Sequence, residues 1–433
     1  MSMDEKFRVE GGQPLSGTVR VSGNKNEALP ILSACLLTSA PMTLRNVPQI
    51  GDVLVMGDLL RKAGVSVEPD AHDVHVWHVE AGTLEAGEMD ATLFRKLRAS
   101  ITLAAPLLYR CGKVTLPVPG GDKIGKRRLD THLLALQEMG VEIFEEANAY
   151  LLRCRDGLRG ADLWLDEASV TGTENIIMAA VCARGTTSIY NAACEPHVQQ
   201  LCLCLNAMGA RIEGIGTNRL VIQGVPELGG AAHTIGPDFI EIGSFIGLAA
   251  ATGSTLTIAN AAHAPLRMIL KAFARLGIEA HAEGEHLVVP ASQSRRVVMD
   301  FRGAIPKIES AVWPGVPADL ISILLVAATQ CQGTALIHEK LYESRLFFVD
   351  RLVGMGARIV LCDPHRALVV GPAPLHSDYL TSPDIRAGVA LLIAALCADG
   401  TSVIDNIQMI DRGYEDIDGR LCALGARITR ITA

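Results

Sequence analysis

Several stretches of the chain hold residue types that could bind an anion or move a proton. Lys25 lies in SGNKNEALP, a polar turn that opens an apolar run. An ammonium placed there can meet a phosphate beside a helix N-terminus, or it can sit in a solvated helix cap. The loop PGGDKIGKRR, near residues 118–128, sets paired glycines beside Asp122 and four cations, Lys123, Lys126, Arg127 and Arg128. Such a loop suits a mobile lid that closes over anions, and equally an exposed charged segment. Asp319 in WPGVPADL and Asp384 in SPDIR each precede an apolar run. A carboxylate there can be a helix N-cap, and Asp384 can equally orient Arg386. Ser169 to Asn175 reads as a capped helix start whose backbone amides can face a diphosphate.

Metal chemistry is not indicated. The 11 cysteines form no CxxC pair, and Cys35, Cys182 and Cys397 lie in apolar helical stretches where a thiol acts as a small hydrophobe. Cys202 and Cys204, near Cys194 and His197, lack zinc-ligand spacing. His72, His75 and His78 alternate along an expected strand, which predicts an exposed polar face. Neither a metal nor an organic cofactor is expected.

These residues need a large scaffold. At 433 residues the chain exceeds what one core usually organises, so two domains are expected. Hydrophobic residues make up 49%, yet apolar runs such as Val389 to Cys397 fall short of the roughly 20 residues that span a bilayer. Met1 to Gly11 is polar and charged, unlike a secretory leader, so a soluble cytoplasmic protein without a membrane partner is expected. A net charge of −8 argues against a nucleic-acid partner, and any anion site must be local.

The architecture is written in an internal repeat. One signal is an apolar helical run leading through a turn to a short strand that often ends in Asn, as in LPILSACLLTSAPMTLRNV, ENIIMAAVCARGTTSIYNA and GVALLIAALCADGTSVIDNI. The other is an amphipathic helix closed by glycine and followed by a strand, with Gly64, Gly140, Gly209, Gly277, Gly356 and Gly425 at the helix ends. The spacing is about 70 to 80 residues, too long for a solenoid. Six such units predict an α/β protein of two domains, each of three repeats with buried helices, outer sheets and pseudo-threefold symmetry. Ligands are expected in the cleft between domains.

SGNKNEALPIL, RASI, PGGDKIGKRRLDTH, SVTGTEN, PADL, ESRLFFV, SPDIRAG and IDRGYE occur in this order from near Phe7 to the last strand, and the sequence thereby resembles the enolpyruvyl transferase family. The resemblance implies two inside-out α/β barrel-like domains, with residues 1–23 joining 238–433 and residues 24–237 forming the other domain, which carries the loop near 118–128. It implies transfer of the enolpyruvyl group of phosphoenolpyruvate to a UDP-sugar hydroxyl, with UDP-N-acetylglucosamine as the leading acceptor and peptidoglycan synthesis as the context. Another uridine nucleotide acceptor, or a silent binding homologue, are the alternatives. The oligomeric state is left open.

The resemblance also carries roles residue by residue. Lys25, Arg98, Arg127, Arg345, Arg386 and Arg412 match phosphoenolpyruvate-binding cations, with Arg127 and Arg412 on the phosphate side and Arg345 and Arg386 on the carboxylate side. Guanidinium forks suit both groups. Asn26 is placed at the reacting centre and Asp319 beside the attacking hydroxyl as base. Asn26, Arg98, Arg127, Asp130, His132, Ser169, Val170, Gly172, Asp319 and Leu341 match positions that hold the nucleotide-sugar. Asp122 stands where many family members have cysteine. It can protonate C3 only if loop closure keeps it protonated, against the pull of Lys123. Because fosfomycin alkylates that thiol, insensitivity to the drug is expected. Arg128, Glu167 and Phe239 also depart from the family pattern, which bears on the acceptor.

Overall fold

The computed structural model describes residues 5–84, 89–122, 124–261 and 265–432. Lys123 lies outside the described residues. The chain divides into two compact units: Met1–Ser22, Lys123–Lys126 and Pro237–Ala433 form unit 1, and Gly23–Asp122 with Arg127–Gly236 form unit 2.

Unit 1 is built round three helices, Phe239–Thr252, Ile321–Thr329 and Ile385–Cys397, which pack on one another. Their sequences are apolar on every side, and each is buried along nearly its whole length, as a central helix must be. Close approach depends on glycine. A Cβ at Gly243 would stand 2.5 Å from Leu320, and one at Gly247 2.4 Å from Ile323. Three four-stranded sheets surround this centre. In one of them the N-terminal strand Glu5–Glu10 runs antiparallel between Thr401–Asp405 and Arg427–Thr432.

Unit 2 repeats the plan with Lys25–Ala34, Ala104–Cys111 and Val170–Ala180 at the centre. Two of its sheets are four-stranded and the third has three strands. In each four-stranded sheet of both units the strand that follows a central helix pairs in parallel with one neighbour, as Thr186–Tyr190 does with Asp162–Trp164. The three-stranded sheet lacks that neighbour among the described residues: Lys113–Pro117 pairs with Ala149–Arg153 alone, and the chain before it forms the short helix Ala91–Phe94. The loop at 118–128 leaves from this reduced repeat. The architecture is thus α/β and inside-out, with six repeats of buried helix and outer sheet.

The glycines read as helix terminators do this work. Gly64, Gly140, Gly209, Gly277, Gly356 and Gly425 all have positive φ, from 71° to 106°, where a side chain would be strained. The strand-ending asparagines Asn46, Asn191, Asn260 and Asn406 are left-handed too, at 54° to 59°.

One expectation is corrected. Only His78 lies in a strand, Trp77–Glu80. His72 and His75 sit in the preceding turn, where Asp70 and Asp73 accept their backbone amides at 2.8 and 2.9 Å. Two aspartates spaced to form such local turns set the backbone at His72 and His75. Among the described residues no helix is long and apolar enough to cross a membrane.

Candidate active site

In unit 1 three sequence-selected residues converge. Arg345 Nη2 donates to Asp319 Oδ1 at 2.9 Å, and Arg386 Nε donates to Asp319 Oδ2 at 3.3 Å. Both arginine side chains are 3% exposed, whereas Asp319 is 28% exposed and opens this cluster to solvent. The Pro-rich loop delivers Asp319 into a 3-10 turn, Ala318–Leu320, and neither that turn nor the helix after it has a side-chain cap. The cap alternative for Asp319 is therefore replaced by the double ion pair. Asp384 does cap its helix, accepting from the amides of Arg386 and Ala387 at 2.9 Å each, and so fixes the backbone from which Arg386 projects.

Both guanidiniums lie over aromatic rings. Arg386 lies over Tyr414 at 5.4 Å, whose hydroxyl is 2.8 Å from Ser244, and Arg345 lies over Tyr342 at 5.4 Å. Burial would lower the pKa of Arg345, but Asp319, Asp384 and Glu339 more than offset it, and the pKa is raised. Arg386 is likewise raised, with burial opposed by Tyr414 and Asp319. Both stay charged. Nε and Nη1 of Arg345 are buried without a hydrogen-bond partner among the described residues. Arg412 ends the helical turn Gln408–Asp411, with Nη1 3.8 Å from the Met409 sulfur. Leu341 is exposed in the turn before Arg345.

The loop segment that packs with unit 1 is also pinned there. The Lys126 amide donates to Glu343 at 2.9 Å, and the Ser344 amide donates to the Ile124 carbonyl at 3.0 Å.

Unit 2 holds the remaining candidates. Asn24 caps the helix that Lys25 begins by accepting the Glu27 amide, and the Lys25 ammonium lies 3.2 Å from Asp52, both largely buried. Asn26 follows at the first turn of that helix. Arg98 donates to the Arg128 carbonyl at 2.8 Å, tying the 3-10 helix Arg98–Leu103, which begins with RASI, to the loop. Gly120 and Gly121 let the loop lie directly on this segment: a Cβ at Gly120 would be 1.8 Å from the Arg95 carbonyl oxygen, and one at Gly121 2.9 Å from Arg98 Cβ. Asp122 follows, half-buried, as does Arg127. Arg128 pairs with Asp130, which accounts for one departure from the family pattern.

His132 lies inside the fold. Its imidazole is 1% exposed, and burial, helped by the Arg98 charge, lowers its pKa to about 3. It is therefore neutral. The Asn175 amide nitrogen lies 3.2 Å from Nδ1, while Asn175 Oδ1 accepts the Ala105 amide at 3.0 Å, so Nδ1 accepts and the proton sits on Nε2, 3.2 Å from Thr171 Oγ1. The buried ring meets the start of the helix Val170–Ala180 through Thr171 and Asn175. Ser169 caps that helix by accepting the Gly172 amide at 3.2 Å. The earlier amides, of Val170 and Thr171, have no intrahelical acceptor and can face an anion.

Thr171, Asn175, Tyr414 and Asp52 were not selected from the sequence. Thr171 and Asn175 stand four apart in SVTGTEN, one helical face, a signal that becomes legible only once His132 is known to meet it. Phe239 is buried against Trp313, with ring centroids 6.0 Å apart, so this departure is absorbed by packing. Glu167 is exposed, its carbonyl accepting the Ser169 amide at 2.7 Å. No group of three or more His, Cys, Asp or Glu residues able to hold a metal occurs among the described residues.

This fold, with its buried helices, outer sheets and clustered cations, is that of the enolpyruvyl transferases. The enolpyruvyl transferase NikO from Streptomyces tendae superimposes with a TM-score of 0.88 over 100% of both chains at 26% identity. EPSP synthase from Acinetobacter baumannii gives 0.75 over 99% of this chain and 100% of its own at 17% identity, a likeness of fold. The EPSP synthase (3-phosphoshikimate 1-carboxyvinyltransferase) profile matches residues 9–421, and the chain belongs to that family. Among its relatives, UDP-N-acetylglucosamine 1-carboxyvinyltransferase of Bradyrhizobium diazoefficiens is 53% identical over 98% of both chains. The protein of the same name from Treponema denticola is 51% identical, again over 98% of both.

Proposed function

We propose that the chain transfers the enolpyruvyl group of phosphoenolpyruvate to the 3′-hydroxyl of UDP-N-acetylglucosamine with release of phosphate, the first committed step of peptidoglycan synthesis, in the cytoplasm. The observation that carries this reading is the pair of buried guanidiniums, Arg345 and Arg386, forking onto the accessible carboxylate of Asp319. Two charges kept from water with donors to spare suit a small carboxylate-bearing substrate, and Asp319 between them suits a base acting on a hydroxyl next to it. The names of relatives about half identical over the full chain supply the acceptor.

On this reading Asp319 takes the proton of the attacking hydroxyl as its oxygen bonds to C2 of phosphoenolpyruvate. Asp122 gives a proton to C3, making a methyl group and a tetrahedral ketal. Loss of the C2–O bond to phosphate, with return of a proton from C3, regenerates the double bond on the product. Arg345 and Arg386 hold the carboxylate, while Lys25, Arg127 and Arg412 hold the phosphate as its charge grows, and Arg98 adds a further cation to the phosphoenolpyruvate site. Asn26 orients the reacting centre. Asp130, His132, Ser169, Val170, Gly172 and Leu341 hold the nucleotide-sugar together with Asn26, Arg98, Arg127 and Asp319. Residues 1–23 with 238–433 form one catalytic domain and residues 24–237 the other.

The test is phosphate release from phosphoenolpyruvate by the purified protein. Release that depends on UDP-N-acetylglucosamine supports the reading, and none with any uridine nucleotide-sugar removes it.

A further inference from the structure

The six repeats serve as controls for one another at the point where the central strand ends. In four of them the residue there is a left-handed asparagine. In three of these the side-chain amide donates to the carbonyl just beyond the parallel neighbour: Asn46 to Ile235 at 2.8 Å, Asn191 to Leu165 at 2.9 Å and Asn406 to Ser382 at 2.6 Å. In the repeat whose strand is Gly333–His338, paired in parallel with Lys307–Glu309, the corresponding positions are Glu339 and Ser310.

Glu339 has turned this junction to a different use. It is fully buried, and Oε1 accepts from Ser310 Oγ at 2.9 Å, the Leu341 amide at 2.8 Å and the Tyr342 amide at 3.1 Å. Ser310 Oγ in turn accepts the Lys340 amide at 2.8 Å, so three consecutive amides are held by two side chains. The other oxygen, Oε2, is buried without a hydrogen-bond partner among the described residues. An asparagine closes the same junction in sister repeats without burying a carboxylate. An orphaned buried oxygen is costly, and it is retained in the one repeat where the turn leads through Leu341 and Tyr342 to Arg345.

We propose that Glu339 is a positioning residue for nucleotide-sugar binding, setting the Lys340–Tyr342 turn so that Leu341 meets the acceptor and the Tyr342 ring supports Arg345. This rests on the roles given above to Leu341 and Arg345. It predicts a split between substrates, because Leu341 is held directly while Arg345 keeps its bond to Asp319.

The test is steady-state kinetics with both substrates varied, on protein whose wild type first shows acceptor-dependent phosphate release. Absence of that release would overturn the functional reading itself, before any variant is compared. Given wild-type activity, Glu339→Met, which removes every acceptor at similar volume, is expected to raise KM for UDP-N-acetylglucosamine about tenfold or more, with KM for phosphoenolpyruvate changed by less than about threefold. Glu339→Gln keeps a carbonyl oxygen for the amides and is expected to restore the acceptor KM to within about threefold of wild type. A folded Glu339→Met variant with an unchanged acceptor KM overturns the proposal, as does an equal rise in both KM values. Should that variant not fold, Ser310→Ala decides: about a threefold or greater rise in the acceptor KM supports the assignment, and an unchanged value overturns it.

Discussion

Gly120→Ala adds one methyl group where the loop touches the backbone beneath it. The new Cβ would lie 1.8 Å from the Arg95 carbonyl oxygen, against the 3.0 Å below which such contacts do not persist. The obstacle is main chain and cannot swing aside as a side chain would. The loop must therefore retreat by about 1.2 Å, and Asp122, two residues on, retreats with it. A displacement of that size in a group that delivers a proton costs on the order of 100-fold in kcat. Gly140→Ala is the control: φ is +94° and nothing lies within 4 Å of the added carbon, so only backbone strain of about 1 kcal/mol is expected, with no loss of rate. Both variants are assayed by phosphate release beside a thermal melt. A Gly120→Ala enzyme with kcat within about twofold of wild type would refute the reasoning that ties the loop's seat to proton delivery.

Other expectations follow from the same geometry. Asp319→Asn should lower turnover by about a thousandfold or more while the dissociation constant for the nucleotide-sugar, read by calorimetry, shifts less than about threefold; substantial residual turnover would remove Asp319 as the base. The protein should resist time-dependent inactivation by fosfomycin, and Asp122→Cys should stay active and become sensitive; a protected cysteine variant would show that the loop does not present this position to the substrate. His132, neutral in the folded protein with a pKa near 3, binds its proton more readily in the unfolded chain, at an ordinary value of 6.5. Its contribution to stability is complete above pH 6.5 and is lost as the pH falls toward 3, about 2 kcal/mol between pH 7.5 and pH 5. Urea melts at those two pH values should show that loss in the wild type and a smaller one in His132→Gln.

What could be read from the sequence was local. Helix-ending glycines and strand-ending asparagines mark backbone conformations that few other residues tolerate, so the six repeats are legible in the sequence. The apolar circumference of Phe239–Thr252 likewise announces a central helix. The cation sites were legible only in part. Arg345, Arg386 and Asp319 could be named from motifs, but nothing in three distant segments states that two guanidiniums share one carboxylate. The burial of His132 was not legible, because it depends on Asn175 and Thr171, some forty residues later. The turn at His72 and His75 is written in the two aspartates that close it and not in the histidines, whose spacing of three does not keep to one face of a strand. Glu339 escaped notice because its meaning lies in a comparison among repeats, which needs the register of Gly333–His338 against Lys307–Glu309.

Mass spectrometry of the reaction product tests the central claim most directly. After incubation with phosphoenolpyruvate and a panel of UDP-sugars, UDP-N-acetylglucosamine should gain the mass of one enolpyruvyl group, with one phosphate released for each molecule converted. An unmodified UDP-N-acetylglucosamine, or the group appearing on a different acceptor alone, would contradict the assignment.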